Sequence, residues 1–237
     1  CAALTNVDEC EQYPLRAHEQ HVVVTRNVAD ACRKHNAKMV HISTDFVFDG
    51  ECGGYRELDP VHPINEYGKS KLAAEDAVHS SMRDRLVVRT CIYGDNPLRG
   101  SGLAEWAMRN LEAGKAITGW KDIRFTPIWT GSLADALWGM MQRNLSGVYH
   151  VVGSTSCSKY DFLMALSDEL GCRGLVNESH SVAVPPKAPR PRNPSLNCER
   201  VERDLGRPMP HLSEQLQDFA IFHKWELPKL KETVCLK

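Results

Sequence analysis

Tyr67 and Lys71 stand four residues apart in Tyr67-Gly68-Lys69-Ser70-Lys71. On a helix that spacing sets one side chain a turn above the other on a single face. A free phenol, with a pKa near ~10, is a poor acid or base at neutral pH. An ammonium one turn away favours the phenolate and lowers that pKa, toward the working range of general acid–base chemistry. Upstream, Ser43-Thr44-Asp45 follow the apolar run Met39-Val40-His41-Ile42, so a hydroxyl and a carboxylate are delivered where a strand stops. Thr44 is suited to hydrogen-bond a substrate oxygen while Tyr67 moves a proton. Tyr-x-x-x-Lys alone arises by chance in amphipathic helices. Its pairing with the strand-end hydroxyl, and with Pro60-Val61-His62-Pro63 before the helix, makes the pattern specific.

The elements around these residues alternate. Residues 14–34 predict a helix, with Val22, Val23, Val24, Val28, Ala29 and Cys32 at three- and four-residue spacings. A strand over 38–43 precedes a loop at 49–63 rich in Gly, Pro and acidic groups, then the helix 66–81 that carries Tyr67 and Lys71. Leu86-Val87-Val88-Arg89-Thr90 reads as a short buried strand of a parallel sheet. A loop over 97–102 and a helix over 103–113 follow; residues 124–128 and 132–137 resemble a strand-and-helix pair of known families, with Ser132 the expected cap of that helix. Next come a strand over 147–152 and a helix from Ser158 to Leu170. Two helices, over 197–205 and 212–222, close the chain. Strands alternating with helices predict an α/β, Rossmann-like doubly wound parallel sheet, with ligands outside the carboxyl ends of the strands.

Composition excludes several classes. The chain has 237 residues, 42% hydrophobic and 25% charged, with net charge −1, which argues against nucleic-acid binding driven by bulk charge. No run approaches the ~20 apolar residues of a membrane span, and no signal peptide is visible. The nine cysteines form no Cys-x-x-Cys pair and read as reduced thiols of a cytoplasmic protein; no spacing suggests a metal site. The tract Pro185-Pro186-Lys187-Ala188-Pro189-Arg190-Pro191-Arg192 reads by itself as a linker or structural loop, or as a ligand for a peptide-recognition domain.

Ser43-Thr44-Asp45-Phe46-Val47-Phe48-Asp49-Gly50, then Tyr55-Arg56-Glu57 and Asp59-Pro60, then Tyr67-Gly68-Lys69-Ser70-Lys71-Leu72, resemble the extended short-chain dehydrogenase/reductase superfamily. Within it the chain is most similar to the dTDP-4-dehydrorhamnose reductase family, and Pro189-Arg190-Pro191-Arg192-Asn193-Pro194 is similar to that family's Arg-Pro segment. The resemblance implies an NAD(P)H-dependent reductase, using NADP or NAD, that acts on the keto group of a nucleotide-linked 4-keto-6-deoxysugar. Tyr67 is then the proton donor and Lys71 the ribose-binding cation that lowers the tyrosine pKa. Thr44 is the contact to the sugar oxygen, and Asp45 supports the site or touches the substrate. Cys1, Ala2, Ala3 and Ile92, with Tyr67 and Lys71, line the cofactor. The Pro-rich tract is then a loop closing over the nucleotide-sugar, with Arg190 or Arg192 available to a substrate phosphate. Phe46 stands where these reductases often carry tyrosine, and His21 where the family keeps an asparagine.

The same resemblance implies a partial NAD(P)-binding domain over 1–150, with a substrate-side insertion around 98–128, and a C-terminal substrate subdomain over 151–237. Cys1-Ala2-Ala3 resembles the segment after the fourth parallel strand. No Gly-x-Gly-x-x-Gly or Gly-x-x-Gly-x-x-Gly occurs, so the expectation is an N-terminally truncated chain that binds dinucleotide weakly and exposes a sheet edge. A homodimer is compatible with this reading. The resemblance extends to the regulatory β subunit of methionine adenosyltransferase, a binding protein rather than an enzyme, and to epimerases and dehydratases of the superfamily.

Overall fold

The computed structural model describes residues 3–94, 102–181 and 188–226. Nearly all of the loop expected over 97–102 lies outside them, as do Cys1 and Ala2. The sheet that carries the site is parallel and runs in the order β1 (Met39–Ile42), β2 (Arg85–Arg89), β7 (Gly147–His150). Its register pairs Val40 with Leu86 and Val88 with Tyr149. Side chains of a strand alternate between faces, and both faces of β2 are covered. Leu86 and Val88 pack with Ile128, Leu133, Met140, Val201 and Leu205, under α6 (Thr130–Gln142) and α8 (Glu199–Leu205). Val87 packs with Ala29, Val78 and Met82, under α3 (Val24–Lys34) and α4 (Glu66–Ser81). Burial on two sides is why β2 reads as an unbroken apolar run.

The helix expected over 14–34 is present in three pieces. After α1 (Val7–Gln12) come α2 (Pro14–His18), a π-helical turn at Glu19–Val23, and α3. The strand expected over 124–128 is broken. β5 (Arg124–Phe125) pairs antiparallel with β8 (Cys157–Ser158), and β6 (Ile128–Trp129) pairs with β3 (Ile92–Tyr93). Pro127 between them has no N–H to give a ladder. Ser132 is not the cap of α6, a correction to the sequence reading. The helix begins at Thr130, directly off β6, and the Trp129 N–H is taken by Gln215 Oε1 at 2.8 Å. Ser158 does cap α7 (Lys159–Glu169), reciprocally with Asp161.

A second core gathers α5 (Leu103–Glu112), α7 and α9 (Leu212–Ile221) around β4 (Ile117–Trp120) and β9 (Val176–Ser179). It is aromatic: Phe162 meets Tyr93 edge-on at 5.1 Å and Phe125 at 5.4 Å, and Tyr93 meets Phe219 at 5.5 Å. The part of the Arg-Pro segment that is described is no loose linker. Asn193 N–H donates to Gly50 O, Tyr55 N–H to Ser195 O, and Asn197 N–H to Tyr55 O, at 2.8–2.9 Å. Gly50, at φ 79°, lies against Pro191, where a side chain would collide. No helix of the described residues is long and apolar enough to cross a membrane.

Candidate active site

The site forms where β1 ends and α4 begins. Asn65 caps α4 by accepting from Gly68 N–H at 2.8 Å, and its amide donates to Pro189 O at 2.8 Å. The start of the helix is thereby tied to the Arg-Pro segment. Gly68 lets α4 approach the turn after β1, since a Cβ there would run into Phe46 O. Thr44 caps that turn, accepting from Phe46 N–H at 3.2 Å, and donates to Asp45 Oδ1 at 3.0 Å. Tyr67 is held edge-on by Phe46 (5.9 Å) and by His21 (5.7 Å). Thr44, Asp45, Tyr67 and Lys71 are thus brought together.

Their electrostatics differ from the expectation in one respect. Burial pushes the Tyr67 phenol well above its ordinary value; Thr44, within reach of the hydroxyl, opposes the rise and Asp45 adds to it. Lys71 is not what sets this phenol, which is neutral. The lysine Nζ instead donates to Ile42 O at 2.6 Å. That carbonyl points away from β2, because it is Ser43 N–H that bonds Val88 O. Burial lowers Lys71 to about 8, and Glu75, one turn further along α4, opposes the fall. Asp45, 3% exposed, is pushed by burial up to about 6, against the pull of Lys159 and Thr44, and its Oδ2 has no hydrogen-bond partner among the described residues.

Several partners were missed in the sequence. Glu75, buried, receives two N–H groups of Arg89 at 2.8 and 3.1 Å and the Ser43 hydroxyl. The signal was there: Tyr67, Lys71 and Glu75 recur every four residues, and Arg89 ends a buried strand. Cys91 sits beside Asp45, and Lys159, first residue of α7, faces both. Such meetings across the fold leave no local pattern. His21 is buried with both ring nitrogens bonded. Of the other expected residues, Ile92 is 46% exposed on β3 and Ala3 is exposed. Arg192 is exposed, with its carbonyl accepting from Arg124 N–H at 2.8 Å. Arg190 is instead paired with Asp8 at 2.9 Å.

The model of the RmlD substrate binding domain family matches residues 1–222. The chain belongs to that family. The probable low-salt glycan biosynthesis reductase of Haloferax volcanii is 34% identical over 91% of this chain and 74% of its own length. The crystal structure of dTDP-4-dehydrorhamnose reductase from Bacillus anthracis, in complex with NADP, superposes with a TM-score of 0.86 at 30% identity, covering 93% of this chain and 78% of that one. The methionine adenosyltransferase 2 subunit beta of Xenopus tropicalis is 29% identical over 95% of this chain and 71% of its own. With RmlD membership come the short-chain dehydrogenase/reductase superfamily and the Rossmann-type fold of the solved relatives.

Proposed function

We propose that this protein is an NAD(P)H-dependent reductase of a nucleotide-linked 4-keto-6-deoxysugar, with Thr44, Tyr67 and Lys71 as its working side chains. The observation that carries the reading is a neutral, partly exposed phenol beside a strand-end hydroxyl, with a lysine ammonium one turn below. A proton donor must hold its proton until the substrate oxygen gains charge, and burial of Tyr67 does that. The donor set suits the ribose end of a nicotinamide dinucleotide: Lys71 spends one of its three N–H groups on Ile42 O, and Ile92, 46% exposed on β3, is read as an apolar lining residue of the cofactor. The cofactor, NADPH or NADH, supplies the hydride. Thr44 turns its hydroxyl hydrogen from Asp45 to the carbonyl oxygen and orients it, and Tyr67 delivers a proton to that oxygen. Asp45 holds the Thr44 hydroxyl before substrate arrives. Arg192, exposed and without an ion-pair partner among the described residues, is read as available to a substrate phosphate. Residues 1–150 are read as the cofactor side and 151–237 as the substrate side, with α8 returning to the first core.

The test follows NADPH and NADH oxidation with dTDP-4-keto-6-deoxysugar, using the protein expressed from its full reading frame beside a Tyr67→Phe control. Turnover that collapses in the control supports the assignment; turnover that survives it removes Tyr67 from the chemistry. Similarity to the methionine adenosyltransferase subunit supports a second reading, a nucleotide-binding regulatory subunit. Tight NADPH binding with no turnover on any keto-sugar would favour it.

A further inference from the structure

We propose that His21 is a positioning residue, which as the neutral Nε2–H tautomer clamps the chain at Leu4 to the helix of Tyr67 and Lys71 through the Ser70 hydroxyl. The inference rests on the reading of that helix as the proton-transfer element. His21 Nε2 lies 3.0 Å from Leu4 O, and Nδ1 lies 2.7 Å from Ser70 Oγ. A carbonyl oxygen only accepts, so Nε2 must carry the hydrogen. In a neutral ring Nδ1 then has only a lone pair, and the Ser70 hydroxyl must donate to it. Ser70 Oγ is also 2.9 Å from Tyr67 O, another acceptor. One hydroxyl hydrogen cannot serve both. The contact to Tyr67 O is made only when Nδ1 is protonated and the hydroxyl turns away from it.

The surroundings select the neutral form. The ring is 2% exposed. The ionisable groups whose charge reaches it are Lys71 on α4 and His41 on β1, both bases. Burial and Lys71 together hold it down at about 4, against the pull of Leu4 O. The ring sits on the π-helical turn Glu19–Val23; such turns place an extra residue in a helix and recur at functional sites. Its edge contact with Tyr67 gives it three points of hold: one on the segment at Leu4 and two on α4. Ser70 immediately precedes Lys71, so the clamp fixes the helix at the turn that carries the working side chains.

Two readouts test this in the protein expressed from its full reading frame. Nitrogen-15 spectra of the His21 ring, assigned by loss of the signals in His21→Gln, are expected to show Nε2 protonated and Nδ1 bare from pH 8 down to 5.5. An Nδ1–H tautomer or an imidazolium at pH 7 overturns the proposal whatever the protein catalyses. Glutamine can reach Leu4 O but offers Ser70 no acceptor at Nδ1; asparagine does the reverse. Each half of the clamp is one buried hydrogen bond, a factor of about 5. His21→Asn should therefore raise the NADPH dissociation constant about fivefold with kcat kept, and His21→Gln should lower kcat about fivefold with NADPH binding kept. If both variants leave both quantities within twofold, His21 is structural only. If Tyr67→Phe retains turnover while the spectra are as expected, the proton-donor reading fails and the clamp stands.

Discussion

The seam between β1 and α4 and the core between α5, α7 and α9 are both buried, yet they are built on opposite principles. In the aromatic core, Tyr93, Phe125, Phe162 and Phe219 meet edge to face, and any group of the right shape would serve much of the same purpose. In the seam the buried groups include Thr44, Asp45, Lys71, Glu75, Arg89, His21 and His41. Most of them have a partner that cannot be exchanged. Burying polar groups is costly unless they are paired, so the seam gives up stability for a defined arrangement of protons and charges. The difference predicts that changes in the aromatic core act on stability at every pH, whereas changes in the seam act on chemistry, pairing and pH dependence.

The largest effect should come from Tyr67→Phe. A positioned general acid contributes a factor of about 10²–10⁴, so turnover should fall by that much while the urea midpoint barely moves. A large loss of stability would mean that Tyr67 is held for its packing, as the aromatic core is. Phe162→Ala should cost about 3–5 kcal/mol in urea unfolding, and equally at pH 5 and pH 8; a pH-dependent loss would break the contrast from the other side. Glu75→Gln should cost a similar ~3–5 kcal/mol because it strands the Arg89 charge in the interior. Glu75→Gln with Arg89→Met should recover much of it. A double variant no better than the single one would mean that packing, and not charge, holds the seam.

Acid titration gives a smaller and signed effect. The Asp45 carboxyl is raised from 3.8 to about 6, so between those values the folded chain binds more protons than the unfolded one. Asp45 therefore lowers stability as pH rises through that window, by about 2–3 kcal/mol. His41 and His150 are lowered from 6.5 to about 3; the unfolded chain binds more protons there, and stability rises with pH. Asp45→Asn should accordingly make stability rise more steeply between pH 4 and 6.5. An unchanged slope would show that Asp45 is not titrating in that window. The smallest change is Ser158→Ala at the cap of α7, about 1 kcal/mol by thermal or urea melting, with no effect on turnover.

Local signals carried the fold well. Helix α4 spans the 66–81 expected from sequence, β2 follows from its apolar run, and Ser158 caps its helix with Asp161. Ser132 misled because a cap-like residue close to a helix start does not fix that start: β6 runs straight into α6, and Gln215 supplies the hydrogen bond from a distance. The Arg-Pro segment read ambiguously because its partners, Gly50, Tyr55 and Asn65, lie more than 120 positions away. Tyr67, Lys71 and Thr44 were legible as a constellation. The state of the phenol was not: a neighbouring cation suggested a lowered pKa, and desolvation raised it instead.

The sequence by itself determined the periodicities, the caps, the strand-end hydroxyl and the four-residue spacing of Tyr67 and Lys71. These depend on contacts within a turn or two of chain. Only the tertiary structure decided that Lys71 reaches Ile42 O, that Glu75 is paired with Arg89 and hydrogen-bonded by Ser43, and that His21 holds Ser70 from 49 positions away. The reason is physical. A buried polar atom must find a partner, but the identity of that partner depends on which segments the fold brings together, and no local pattern records it.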